Sequence, residues 1–230
     1  RDRDLVVHST TKFLSGQGNA MGGIVIDSGR FPWFGNAKYP SLSEPCPDYN
    51  GLTFAETFGD MAFTLYSHAV SLRDIGCTQS PMNAWITLNG VETLPLRMER
   101  HVENAQKVAG FLQQHPSVEW VSYAGLSSSP YYQLAQKYLQ GKAGSVFTFG
   151  IRGGYESGLR LLEKVELFSH VSNIGDSRSL ILHPASTTHR QLSDEQRLTA
   201  GAGPEVIRLS VGIESAEDLI ADLEQALEGL

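Results

Sequence analysis

Cysteine is scarce in this chain, with only Cys46 and Cys77 among 230 residues. Two cysteines without CxxC or Cys/His spacing make neither a disulfide framework nor a zinc site, and they fit a reducing compartment, the cytoplasm by default. Positive charge is also short. Lys and Arg number 18 against 25 Asp and Glu, a net charge of −7, so there is no basic field to gather the phosphates of DNA or RNA, and no nucleic-acid partner is expected. No apolar run approaches the roughly 18 residues of a membrane span, which removes the membrane as a partner. Gly at 23 and Pro at 10 are ordinary and exclude collagen-like and low-complexity classes. An initiator methionine and a signal peptide are missing too. The chain opens on Arg1-Asp2-Arg3-Asp4 and reads as a piece of a longer protein.

What is present is 41% hydrophobic residue content, enough at this length for one large domain or two small ones. Residues 5–8 (Leu-Val-Val-His) form a short apolar run of the kind found in buried parallel strands. They lead into the polar turn Ser9-Thr10-Thr11-Lys12, and a second strand over residues 22–27 follows a glycine-rich link. From Ser28 to about Asp60 no period is visible, so a long loop wrapping over a surface is expected. Ser80-Pro81 marks a helix start, and Pro95 divides that segment. Met98, Val102, Ala105, Ala109 and Leu112 then recur at spacings of four and three, the apolar stripe of a long connecting helix that stops before Pro116. Beyond it strands and helices alternate: strands at 118–123, 145–150, 179–183 and 206–211, helices at 132–139, 155–164, from Ser193 and from Ser215. In the last helix, Leu219, Ile220, Leu223, Ala226 and Leu227 form the buried face.

Lys12 is the first candidate for chemistry. A lysine at the carboxyl end of a parallel strand faces the crevice where open α/β sheets bind ligands, whereas a single loop lysine is usually solvated. The set around Lys12 shifts that balance: the Ser9 and Thr11 hydroxyls beside a potential Schiff-base amine suit a cofactor with both an aldehyde and a phosphate, pyridoxal 5'-phosphate.

Val7-His8-Ser9-Thr10-Thr11-Lys12-Phe13 resembles the lysine signature of the cysteine/methionine-metabolism family of pyridoxal-phosphate enzymes. The likeness continues in family order through Met98-Glu99-Arg100-His101, Asn173-Ile174-Gly175-Asp176, residues 183–189 (His-Pro-Ala-Ser-Thr-Thr-His) and residues 208–214 (Arg-Leu-Ser-Val-Gly-Ile-Glu). The long loop after Asp27 and the Asn-Ile-Gly-Asp motif are most similar to the O-acetylhomoserine sulfhydrylase branch. The resemblance implies an α/β chain: the end of a fold-type-I large domain with a mostly parallel sheet (residues 1–93), a connecting helix (94–115) and a smaller α+β carboxyl-terminal domain (116–230). It implies that Lys12 holds the cofactor as a Schiff base and shuttles protons, that Ser9 and Thr11 bind its phosphate, and that Arg208 clamps the substrate α-carboxylate with support from Asn173. The implied reaction replaces the acetoxy group of O-acetyl-L-homoserine with sulfide, giving homocysteine and acetate. A methionine γ-lyase, a cystathionine-forming or -cleaving relative, or a fragment inactive without its other half is the alternative.

Further implications are a homotetramer and a missing amino-terminal half that carries the partner of the pyridinium nitrogen, the stacking aromatic and the glycine-rich phosphate loop. Three departures stand out. Gln17 replaces a frequent His, Arg178 stands where lyase relatives often have Glu, and Arg1 and Arg3 do not match the usual approach to the first strand, although Asp4 does. Other constellations are weak. His183 and His189 lack metal-ligand spacing and read as structural. Ser67-His68 has no G-x-S-x-G context. The link after Lys12 is not GxGxxG, and the aromatics of residues 31–49 suit a recognition surface or, at least as well, packing against another domain or subunit.

Overall fold

The computed structural model describes residues 3–230, so the Arg1-Asp2 opening lies outside the described residues. The chain divides into two compact units. One takes in the chain up to Thr10 together with Met21–Ile86, and the other consists of Thr11–Ala20 and Thr87–Leu230.

In the first unit β1 (Leu5–Ser9) pairs with β2 (Gly23–Asp27) as an antiparallel ribbon, Leu5 opposite Asp27 and Ser9 opposite Gly23. This corrects the expectation of a buried parallel strand. Among the described residues no third strand joins the ribbon, and its consecutive apolar positions stay open, with Val7 71% and Val25 52% exposed. The segment 28–60 is also more ordered than a wrapping loop. It contains α1 (Pro40–Ser43) and α2 (Phe54–Phe58), followed by α3 (Ala62–Tyr66). Helices this short show no 3.6-residue period in sequence. They close over a small core of Trp33, Leu42, Phe54, Ala55 and Ala62, where Trp33 stacks on Phe63 with ring centroids 5.6 Å apart. Trp33 therefore packs within its own unit.

Helix α4 (Pro81–Glu92) begins at the proline, and the Ser80 hydroxyl accepts the Asn83 N–H at 3.1 Å. The boundary between the units falls inside it, after Ile86. Helix α5 (Leu94–Gln114) follows, with Pro95 in its first turn, where the missing N–H costs nothing.

The rest of the second unit contains β3 (Val118–Ser122), α6 (Tyr132–Leu139), β4 (Val146–Ile151), α7 (Gly154–Lys164), β5 (Ser169–His170), β6 (Leu180–Leu182), α8 (Asp194–Thr199), β7 (Val206–Ser210) and α9 (Ala216–Leu227). The strands form a sheet of order β3-β4-β7-β6-β5, antiparallel except between β5 and β6. One face carries Phe149, Ile151, Ile181, Ile207 and Leu209, which pack with Val108 and Leu112 of α5, Leu161 of α7 and Leu219, Leu223 and Leu227 of α9. Each such burial removes a side chain worth about 1.5–3 kcal/mol from water.

The buried face of α5 is turned from the expected one. Ala105, Ala109 and Leu112 are buried, Met98 and Val102 only partly, and the buried line begins with two polar residues, His101 and Asn104. Another buried polar group, Asp222 of α9, accepts the backbone N–H groups of Glu166, Leu167 and Phe168 at 2.8, 2.9 and 3.1 Å. Burial pushes this carboxyl up, but the three donors outweigh it and hold it below the ordinary carboxylate range. Among the described residues no helix is long and apolar enough to cross a membrane.

Candidate active site

The site is built in the second unit around the middle strand of its sheet. Arg208 sits on β7, paired with Thr148 of β4 on one side and Leu182 of β6 on the other. Strand alternation puts Ile207, Leu209 and Val211 in the core and turns Arg208 and Ser210 to the opposite face. On that face the loop between β5 and β6 crosses the strand. The Asn173 carbonyl faces Arg208 Nη2 at 3.4 Å, and the Gly175 N–H donates to Ser210 Oγ at 2.9 Å.

Lys12 reaches the same loop. It lies in a wide turn, Thr10–Leu14, whose helical path breaks at Lys12 itself (φ −94°, ψ −128°), and its Nζ donates to Asn173 Oδ1. The unit thus brings Lys12, Asn173 and Arg208 together in one chain of contacts, with Asn173 as the shared residue. Gly175 makes the close approach possible: its φ is +73°, and a Cβ there would stand 2.7 Å from the Phe13 backbone nitrogen. Thr11 adjoins Lys12 and its carbonyl accepts the Ser15 hydroxyl at 3.2 Å. Ser9, the exposed last residue of β1, belongs to the first unit.

Further contacts fix the loop. The Asp176 carboxylate is 3% exposed and accepts from the Arg178 backbone and guanidinium at 3.0–3.2 Å. Burial raises its pKa, yet these Arg178 bonds prevail and keep it below the ordinary range. The departure at Arg178 therefore has a local use, as a brace for Asp176. Ser179 and Glu214 lock the end of β7: the Ser179 N–H and hydroxyl donate to Glu214 at 2.6 and 2.9 Å, and the Gly212 N–H donates to Ser179 Oγ at 2.8 Å. His183 is fully buried between Ser186 and the Pro204 carbonyl, 2.9 Å from each, the structural histidine that its sequence context indicates.

Arg208 is the cation of this cluster. Its guanidinium is half-buried, burial lowers its pKa, and among the described residues no carboxylate pairs with it. A partly desolvated cation without a counter-charge is costly until an anion arrives, and the guanidinium fork matches a carboxylate. A primary amine on a braced turn, threonine beside it and an unpaired guanidinium fit the needs of a pyridoxal-phosphate site that takes amino acids. A shallow groove of about 530 Å³ elsewhere, lined by Glu99, Glu103, Lys107 and Lys142, contains none of these residues.

A family model described as Cys/Met metabolism PLP-dependent enzyme matches residues 2–228. The chain belongs to that family. It is 50% identical over 97% of its length to O-acetyl-L-homoserine sulfhydrylase 1 of Thermus thermophilus, covering 53% of that relative. It is 45% identical over 98% of its length to homocysteine synthase of Schizosaccharomyces pombe, again covering 53%. A crystal structure from Campylobacter jejuni, determined with N'-pyridoxyl-lysine-5'-monophosphate, superposes with a TM-score of 0.93 at 42% identity over 98% of this chain and 54% of that one. The chain spans about half the length of the curated relatives it matches. The family is pyridoxal-phosphate dependent by description, which agrees with the cofactor expected from Ser9, Thr11 and Lys12.

The residues that sequence reading missed are the buried polar ones behind the site, His101, Asn104 and Asp176. His101 and Asp176 lie inside motifs quoted above for the family resemblance, whereas Asn104 has no signal of its own in the sequence.

Proposed function

We propose that the protein containing this chain replaces the acetoxy group of O-acetyl-L-homoserine with sulfide, yielding homocysteine and acetate. The observation that carries this reading is the contact chain Lys12–Asn173–Arg208, an amine and an unpaired guanidinium bridged by one asparagine. Pyridoxal phosphate, when bound, supplies an electron sink for charge developing at Cα. Lys12 would hold it through Nζ, with the Ser9 and Thr11 hydroxyls on its phosphate. Arg208 binds the substrate carboxylate through its fork, and Asn173 orients both groups. Once freed by the substrate amine, Lys12 Nζ removes the Cα proton and then a Cβ proton. Acetate leaves from Cγ, sulfide takes its place, and Lys12 returns the protons.

In this reading residues 1–93 end the cofactor-binding large domain, 94–115 connect, and 116–230 form the small domain. The other half of the protein provides the pyridinium partner and the phosphate loop. The names of the relatives support the substrate assignment. A cytoplasmic homotetramer belongs to the same reading and is testable by sedimentation of the complete protein. Acetate release by the complete enzyme, measured with and without sulfide, tests the reaction: strict sulfide dependence with homocysteine as product supports replacement, and sulfide-independent release with α-keto acid formation points to a γ-lyase.

A further inference from the structure

Helix α5 carries a polar stripe that the reaction does not use directly: Arg97, His101 and Asn104, at spacings of four and three along one face. Arg97 Nη2 donates to the Gly90 carbonyl at 2.7 Å and reaches toward the Leu14 carbonyl, and its guanidinium fills the space a side chain on Gly16 would need. Asn104 Nδ2 donates to the carbonyls of Gly212 and Glu214 at 3.0 and 2.8 Å. One end of the stripe therefore holds the segment after Lys12, and the other holds the segment after Arg208.

His101 stands between them and touches both. It is fully buried. Nδ1 lies 2.6 Å from the Val211 carbonyl, and since a carbonyl only accepts, Nδ1 carries the proton. The ring meets Phe13 edge-on, with centroids 5.5 Å apart and planes at 83°. Phe13 is the residue next to Lys12, and Val211 lies three residues beyond Arg208. The remaining nitrogen, Nε2, is buried and has no hydrogen-bond partner among the described residues, so a proton there would be unsolvated. Burial holds His101 below its ordinary range. The bond to Val211 and the charges of Glu214 and Asp176 oppose that shift, and Arg97 reinforces it.

We propose that His101 is a positioning residue which couples the Lys12 turn to the Arg208 strand, through Phe13 on one side and the Val211 carbonyl on the other. The inference rests on the assignment of Lys12 and Arg208 above. Its two contacts are separable by substitution. His101→Phe keeps a ring against Phe13 and removes the donor to Val211. His101→Asn keeps a donor near the Nδ1 position and removes the ring edge from Phe13.

The test uses the complete holoenzyme and combines kinetics, the visible absorbance of the cofactor, and hydrogen–deuterium exchange. Misplacing a reacting group by about 1 Å costs up to about 10²-fold, so shifts of about tenfold are expected here. His101→Phe should raise KM for O-acetylhomoserine about tenfold with kcat within about twofold of wild type, and should raise exchange over residues 208–213. His101→Asn should lower kcat about tenfold at near-unchanged KM, alter the cofactor band, and raise exchange over residues 11–16. Phe13→Leu, which leaves His101 in place, should reproduce the second pattern and serves if a His101 variant fails to fold. Equal changes of kcat and KM in all variants, or lower melting temperatures with wild-type kinetics and spectra, would overturn the proposal. Lys12→Ala and Arg208→Lys are measured alongside. If these two retain wild-type kinetics, the functional reading has failed, and the exchange patterns alone then decide the coupling: split between the two segments supports it, and uniform change overturns it.

Discussion

At the scale of single residues, the account assigns chemistry to Lys12 and anion recognition to Arg208. Lys12→Ala in the complete enzyme should abolish turnover and leave the fold intact. Acid–base work alone is worth about 10²- to 10⁴-fold, and circular dichroism with a turnover assay checks both halves of the statement. Residual activity above roughly a tenth would contradict the role. Arg208→Lys keeps the charge and loses the fork, so substrate affinity should weaken by about 1.5–3 kcal/mol, read from KM and from an inhibitor Kd. An unchanged KM would remove the carboxylate role. Lys12 stands out in the sequence by its hydroxyl neighbours, Asn173 and Arg208 only by the family resemblance of their motifs, and the contacts Lys12–Asn173 and Asn173–Arg208 join the three. His101, Asn104 and Asp222 were not legible. A buried polar side chain satisfied by backbone groups looks in sequence like any surface residue, and only the fold reveals which carbonyls and N–H groups need it.

At the scale of elements, segments with a periodic or capping signal were placed well and segments without one poorly. Helix α6 begins and ends where its pattern placed it, and α8 starts on the serine expected, with Ser193 and Gln196 forming a reciprocal cap. The two-residue strand β5 and the helices α1 to α3 are too short to show a period, and the pairing of β1 was misread because an apolar run does not state its partner. The element most dependent on one hidden residue is the junction of α7 and β5, where Asp222 receives three backbone donors. Asp222→Asn should destabilise the protein by about 1–3 kcal/mol in urea unfolding. The pH dependence has a definite sign. The folded-state carboxyl lies below its ordinary value, so its contribution is complete above the unfolded pKa of about 3.9 and is lost as pH falls through the depressed folded value. Wild type should lose stability over that acid range more steeply than Asp222→Asn, and parallel curves would contradict the role.

At the scale of the whole molecule, the second unit has a continuous core of its own, whereas the ribbon β1–β2 leaves Val7, Ile24, Val25 and Ile26 open to solvent. Consecutive apolar positions on a strand suit burial on both faces, and uncovered strand edges invite association. Expressed alone, the 230-residue chain should bind apolar dyes, associate through residues 1 to about 90 and show no turnover. A stable monomer with bound pyridoxal phosphate and sulfide-dependent acetate release would refute this. The central claim is that Lys12 is the residue that holds the cofactor, and borohydride reduction of the complete holoenzyme followed by peptide mapping tests it most directly. The account predicts loss of the visible cofactor band and a pyridoxyl adduct on the peptide containing Lys12, while an adduct on any other lysine, or none, would contradict it.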